Sequence, residues 1–130
     1  MILQTTLSLA AAAAVMNAWL AFRTGKLRHS AKILHGDGGH PLLMQRMRAQ
    51  ANFVENTPFV LILAAAIEMT GKGGQWLAIV GSLYLLARIS HAFGMDKSES
   101  NLLRGIGFLV TVLVLLGLSA VAVLIALGRF

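Results

Sequence analysis

The stretch Arg48-Ala-Gln-Ala-Asn52-Phe-Val-Glu55-Asn-Thr-Pro58-Phe59 stands where a basic segment gives way to a long apolar one. Set on a helix, Arg48, Asn52 and Glu55 recur at i, i+4 and i+7 and project from one face. Glu55 lies too far into the apolar run to be only a polar cap on its end. A guanidinium, an amide and a carboxylate at membrane depth are costly without partners, which marks them as a candidate functional site and obliges the rest of the chain to supply those partners.

The composition agrees with a membrane setting. Of 130 residues 57% are apolar and 12% charged, where a soluble domain carries about a quarter charged residues. The mean hydropathy is +0.75. We expect one integral membrane domain over residues 1–130. The formal net charge of +6 does not indicate nucleic acid as a partner. Arg23, Lys26, Arg28, Lys32, Arg46 and Arg48 cluster between two apolar runs, which is the distribution of a cytoplasmic membrane loop. Without cysteine, thiol chemistry would require a thiol brought by a substrate.

Working outward, the hydropathy pattern predicts an all-α, four-transmembrane-helix bundle with spans at about 2–22, 42–69, 75–95 and 102–127. The first run is followed rather than preceded by positive charge, so we read it as a retained span and not a cleaved leader. Gly36-Asp37-Gly38-Gly39-His40-Pro41 makes the loop before the second span, with Asp37 expected to cap the next helix or pair with a loop arginine. His29, His35 and His40 lack helical spacing and partner carboxylates beyond Asp37, and no metal site is expected. Pro58 is expected to kink the second span beside its polar face.

The third span repeats the pattern of the second: Tyr84, Arg88, His91 and Met95 fall at i, i+4, i+7 and i+11. Two ionisable groups there need partners, and a structural ion pair between Glu55 and Arg88 is expected. Arg104 enters the first turn of the fourth span. Counting Lys and Arg puts both termini outside and the basic loops in the cytoplasm, so that Arg28, Arg48 and Arg104 meet at the cytoplasmic boundary. Guanidiniums there, with Asn52, Glu55 and His91 slightly deeper, suit a small polyanion carrying an amine, and an apolar second ligand could enter from the bilayer.

Arg48-x-x-x-Asn52-x-x-Glu55-x-x-Pro58, preceded by Gly36-Asp37-Gly38-Gly39 and followed by Arg88-x-x-His91-x-x-Gly94, resembles the membrane-associated proteins in eicosanoid and glutathione metabolism, the MAPEG family, and especially its small bacterial members. The resemblance implies a homotrimer in a bacterial inner membrane, with glutathione as cosubstrate bound between subunits. Arg28, Arg48, Asn52, Glu55 and His91 would then hold glutathione, and Arg104 would be catalytic by stabilising its thiolate, since a neighbouring cation lowers a thiol pKa.

The activity so implied is a glutathione transferase or peroxidase acting on an apolar electrophile or a lipid hydroperoxide, with membrane lipids as surroundings. Some catalytic relatives have a serine after the last arginine and a tyrosine on the third helix; Gly105 and Met95 stand there in this chain. A non-catalytic lipid- or glutathione-binding protein on the same scaffold is the alternative. A transporter is disfavoured, because the charges keep to one half of the spans.

Overall fold

A computed structural model describes residues 2–130. Four helices follow in order, α1 (Gln4–Ala31), α2 (Pro41–Met69), α3 (Gln75–Met95) and α4 (Leu102–Ala126). All four are long and apolar enough to cross a membrane. The fold is the expected all-α bundle, because hydrocarbon leaves backbone N–H and C=O groups no partners except those within a helix.

The first helix departs from the expected bounds. It runs on beyond Phe22 to Ala31, since nothing between Arg23 and Arg28 breaks a helix and cations favour its C-terminal end. Its 28 residues extend for about 42 Å at ~1.5 Å each, more than the ~30 Å hydrocarbon core, so the basic turns can reach past the apolar layer. The helix closes at Lys32, whose φ of 56° is left-handed, and the Ile33 N–H donates to the Arg28 carbonyl at 3.0 Å.

The expected role of Asp37 is not the observed one. Its carboxylate accepts from the Gly39 N–H at 2.9 Å within the loop, and the cap of α2 is His40, whose Nδ1 accepts from the Leu43 N–H at 3.3 Å. Pro41 follows at the first helical position, where its missing N–H costs nothing. Pro58 sits inside an unbroken α2 and is exposed on its outer side.

Two helix starts are tied to the ends of other helices. α1 has no cap of its own; instead the Glu68 carboxylate, at the far end of α2, accepts from the N–H groups of Thr5 and Thr6, each at 2.8 Å, and from the Thr6 hydroxyl at 2.7 Å. At α4 the Asn101 side chain accepts from the Arg104 N–H at 3.1 Å and donates to the Gly94 carbonyl at 2.8 Å. That side chain therefore ties the end of α3 to the start of α4.

α2 and α3 form the middle of the bundle and touch each other and both outer helices, while α1 and α4 do not meet. Leu9, Leu20, Phe53, Val60, Ile67, Leu77, Tyr84 and Leu118 make the core. α3 and α4 approach most closely at two glycines. A Cβ on Gly94 would lie 2.3 Å from the Arg104 nitrogen, and one on Gly107 would lie 2.4 Å from the His91 Cβ. Close approach through small residues is the ordinary means of helix association in lipid. Here it carries Arg104 toward the His91 face of α3.

Two of the basic residues serve the fold at the loop end. Arg23, read above as part of a cytoplasmic loop, pairs with Asp96, and its guanidinium lies 5.0 Å from the Trp19 ring centroid and 5.3 Å from that of Phe93. Arg46 reaches the same Asp96 at 3.4 Å and the Arg23 carbonyl at 3.4 Å. One carboxylate thus binds the loop ends of α1, α2 and α3 together.

Candidate functional site

On the side of the bundle where α2, α3 and α4 meet, Arg48, Asn52, His91, Met95, Ser100, Arg104, Gly105 and Phe108 line an open recess of about 560 Å³. Its position follows from local structure. Arg48 and Asn52 are one turn apart on α2, His91 and Met95 one turn apart on α3, and Arg104 and Phe108 one turn apart on α4, so each helix contributes one rung at similar depth. Among the described residues no carboxylate lines the recess. The Arg48 and Arg104 guanidiniums face it without hydrogen bonds or ion pairs among the described residues.

Beneath the recess lies a buried polar network. Arg88, 2% exposed, donates from Nη2 to the Asn52 side-chain oxygen at 2.6 Å and bonds His91 Nδ1 at 3.3 Å. Its Nη1 donates to the Thr111 hydroxyl at 2.9 Å, and that hydroxyl donates to the Gly107 carbonyl at 2.8 Å. One guanidinium therefore joins α2, α3 and α4. One turn further along, the Tyr84 and Thr57 hydroxyls share a hydrogen bond of 2.9 Å. Tyr84, Arg88 and His91 are all buried, as their common face on α3 predicts.

The expected ion pair between Glu55 and Arg88 is not formed within the chain. The buried positions of α2 include Phe53 and Thr57, and Glu55 lies two residues from each, a rotation of about 200° at 3.6 residues per turn. Its side chain is accordingly exposed on the far side of the helix. Asn52, about 60° from Glu55 and nearer the buried stripe, takes its place beside Arg88. The i, i+4, i+7 spacing was too coarse to separate those two positions.

Arg28 is also apart from the recess. Its Nη1 donates to the Gly36 carbonyl and its Nη2 approaches the Met47 sulfur at 3.3 Å. It lines a separate shallow hollow with Gly25, His29, Lys32, Ile33 and Leu34. Arg28 and Arg104 of one chain line different hollows, on helices that do not touch. Sequence reasoning missed Thr111, Ser100 and Phe108. Thr111 follows Gly107 by one turn, and that pairing of a small residue with a hydroxyl was the available signal for a close, hydrogen-bonded helix contact.

Comparison with known proteins places the chain in a family. The MAPEG family model matches residues 6–124. The chain is 31% identical over 74 residues to inner membrane protein YecN of Escherichia coli, and the same figures hold for the protein of a second strain. The match takes in 57% of this chain and 56% of the relative, so the chain spans little more than half the length of the curated relatives it matches. Four helices long and apolar enough to cross a membrane agree with a relative named as an inner membrane protein. With the family model covering nearly the whole bundle, recess included, the chain belongs to the MAPEG family, a glutathione-related family of membrane proteins.

Proposed function

We propose that the recess binds glutathione and that Arg104 holds its sulfur as a thiolate for reaction with an apolar electrophile or lipid hydroperoxide drawn from the bilayer. The observation that carries this reading is a pair of unpaired guanidiniums, Arg48 and Arg104, on an acid-free recess with Asn52 and His91 in its wall. Glutathione brings two carboxylates and a thiol, and guanidiniums bind such anions by charge-assisted, often bidentate hydrogen bonds. Phe108 and Met95 add apolar surface on which a second ligand could rest.

In conjugation the thiolate forms a carbon–sulfur bond and the leaving group departs with its electron pair. In peroxide reduction the thiolate attacks one peroxide oxygen and the oxygen–oxygen bond breaks. The lipid alkoxide takes up a proton, and a second glutathione converts the sulfenic acid to a disulfide and water. In both, a cation at the sulfur raises the thiolate fraction before attack.

The remaining glutathione contacts come from a neighbouring copy in a homotrimer. Glu55 lies exposed on the outer face of α2, and Arg28 faces its own hollow beyond reach of Arg104. An interface between copies would bring one subunit's Arg28 to the next subunit's recess and give Glu55 the ligand's ammonium group. The basic loop end lies in the cytoplasm and the termini outside, by the excess of Lys and Arg at that end. A binding protein without turnover is the second reading. Gly105 and Met95 favour it, since neither offers the sulfur a hydroxyl.

The test is the ultraviolet thiolate absorbance of the detergent-purified protein on adding glutathione, with and without Arg104→Ala. A thiolate signal that Arg104→Ala abolishes while binding persists is the expected result. Binding without a thiolate signal and without turnover of an aryl halide or a lipid hydroperoxide removes the enzyme. No glutathione binding at all removes both readings.

A further inference from the structure

Arg88 is a buried cation whose partners, Asn52, His91 and Thr111, are neutral side chains that a guanidinium can only donate to. That one-way donation has consequences for the recess above it. With Nη2 bound to the Asn52 side-chain oxygen, the Asn52 NH2 is turned the other way. With Arg88 donating to His91 Nδ1, that nitrogen is the acceptor and the neutral ring carries its proton on Nε2. Both residues line the recess. Among the described residues neither Asn52 Nδ2 nor His91 Nε2 has a partner of its own.

We propose that Arg88 is the positioning residue of this site: it fixes Asn52 and His91 so that the amide NH2 and the Nε2–H both donate into the recess, which thereby selects its ligand in anionic form. Together with Arg48 and Arg104, four of the five polar residues in the wall then offer donors, and Ser100 can rotate to match. The opposite histidine tautomer would present a lone pair to a carboxylate or thiolate and repel it. Thr111 supports the arrangement from α4. Its hydroxyl proton goes to the Gly107 carbonyl, so its oxygen is left to accept from Arg88 Nη1 and hold the guanidinium plane. The ligand's identity as glutathione rests on the function proposed above; the donor pattern does not.

The experiment uses the full chain in detergent with nitrogen-labelled histidine, His91 being assigned by its loss in His91→Gln. The imidazole nitrogen shifts are expected to show the Nε2–H tautomer without ligand. Arg88→Lys keeps a donor and retains that tautomer; Arg88→Met mixes the tautomers and weakens glutathione binding at least about tenfold. Should Arg88→Met fail to fold, Thr111→Val, which frees the guanidinium from α4, is expected to mix the tautomers and weaken binding in a folded protein.

An Nδ1–H tautomer in the wild type overturns the proposal. So does a folded Arg88→Met or Thr111→Val protein with tautomer and affinity unchanged. A wild type with the Nε2–H tautomer that binds inorganic sulfate but not glutathione supports the donor wall and removes glutathione. Binding of neither overturns the assignment of the recess to anions.

Discussion

Replacing Glu68 by alanine should unravel the start of a helix more than sixty residues away in sequence. The carboxylate receives the N–H groups of Thr5 and Thr6 and the Thr6 hydroxyl, at separations of 62 and 63 positions along the chain. Loss of a helix cap costs about 0.5–2 kcal/mol, and loss of a negative charge at a helix N-terminus about 0.3–1 kcal/mol. Glu68→Ala is therefore expected to destabilise by about 2 kcal/mol. Glu68→Gln keeps one accepting oxygen and should cost about half as much, roughly 1 kcal/mol. Equilibrium unfolding of the detergent-solubilised protein gives the energies, and amide hydrogen exchange at Thr5 and Thr6 shows whether the loss is local. An alanine variant within about 0.5 kcal/mol of wild type, with exchange at those amides unchanged, would refute the reasoning.

Three further perturbations test the helix packing and the ion pairs. Gly107→Ala places a methyl 2.4 Å from the His91 Cβ and 2.7 Å from the Ala87 carbonyl oxygen; it should destabilise by about 1–3 kcal/mol and weaken ligand binding, read by unfolding and by glutathione titration. Gly105→Ala meets nothing within 4 Å and should leave stability unchanged, although Gly105 lines the recess. Asp96→Asn removes the carboxylate shared by Arg23 and Arg46 and should cost about 1 kcal/mol, part of it screened by salt because all three groups are partly exposed. Unfolding midpoints that respond to salt equally in the variant and the wild type would count against that pairing.

The sequence made the membrane helices plain because hydropathy and length are set by the bilayer itself, and glycine loops mark three of their ends. The common face of Tyr84, Arg88 and His91 was equally legible, since helical spacing is a property of one element. What spacing along one helix does not carry is the rotation of that helix against its neighbours. Hence Glu55 looked like the counter-ion of Arg88, whereas the rotation of α2 brings Asn52 there and turns Glu55 outward. The cap of α1 by Glu68 was hidden for the same reason, since a tertiary cap leaves no mark near the helix it closes. Arg23 was hidden by composition: one cation among several basic neighbours gives no sign that it stacks on Trp19 and Phe93. Arg28 was placed at the loop end correctly, but nothing in its own span tells that it bonds the Gly36 carbonyl.

The neutral cage around Arg88 also bears on how the protein enters its membrane. A lone α3 in lipid would carry a guanidinium at a cost of about 3 kcal/mol on insertion scales. Apart from His91 on α3 itself, the groups that bond it belong to α2, already synthesised, and to α4, still to come. Thr111 lies in the third turn of α4, so α3 is only provisionally at home in the bilayer until that turn has left the ribosome. In biogenesis, then, α3 and α4 are one event: the most apolar of the four helices follows α3 and brings with it the hydroxyl that lets the preceding charge stay.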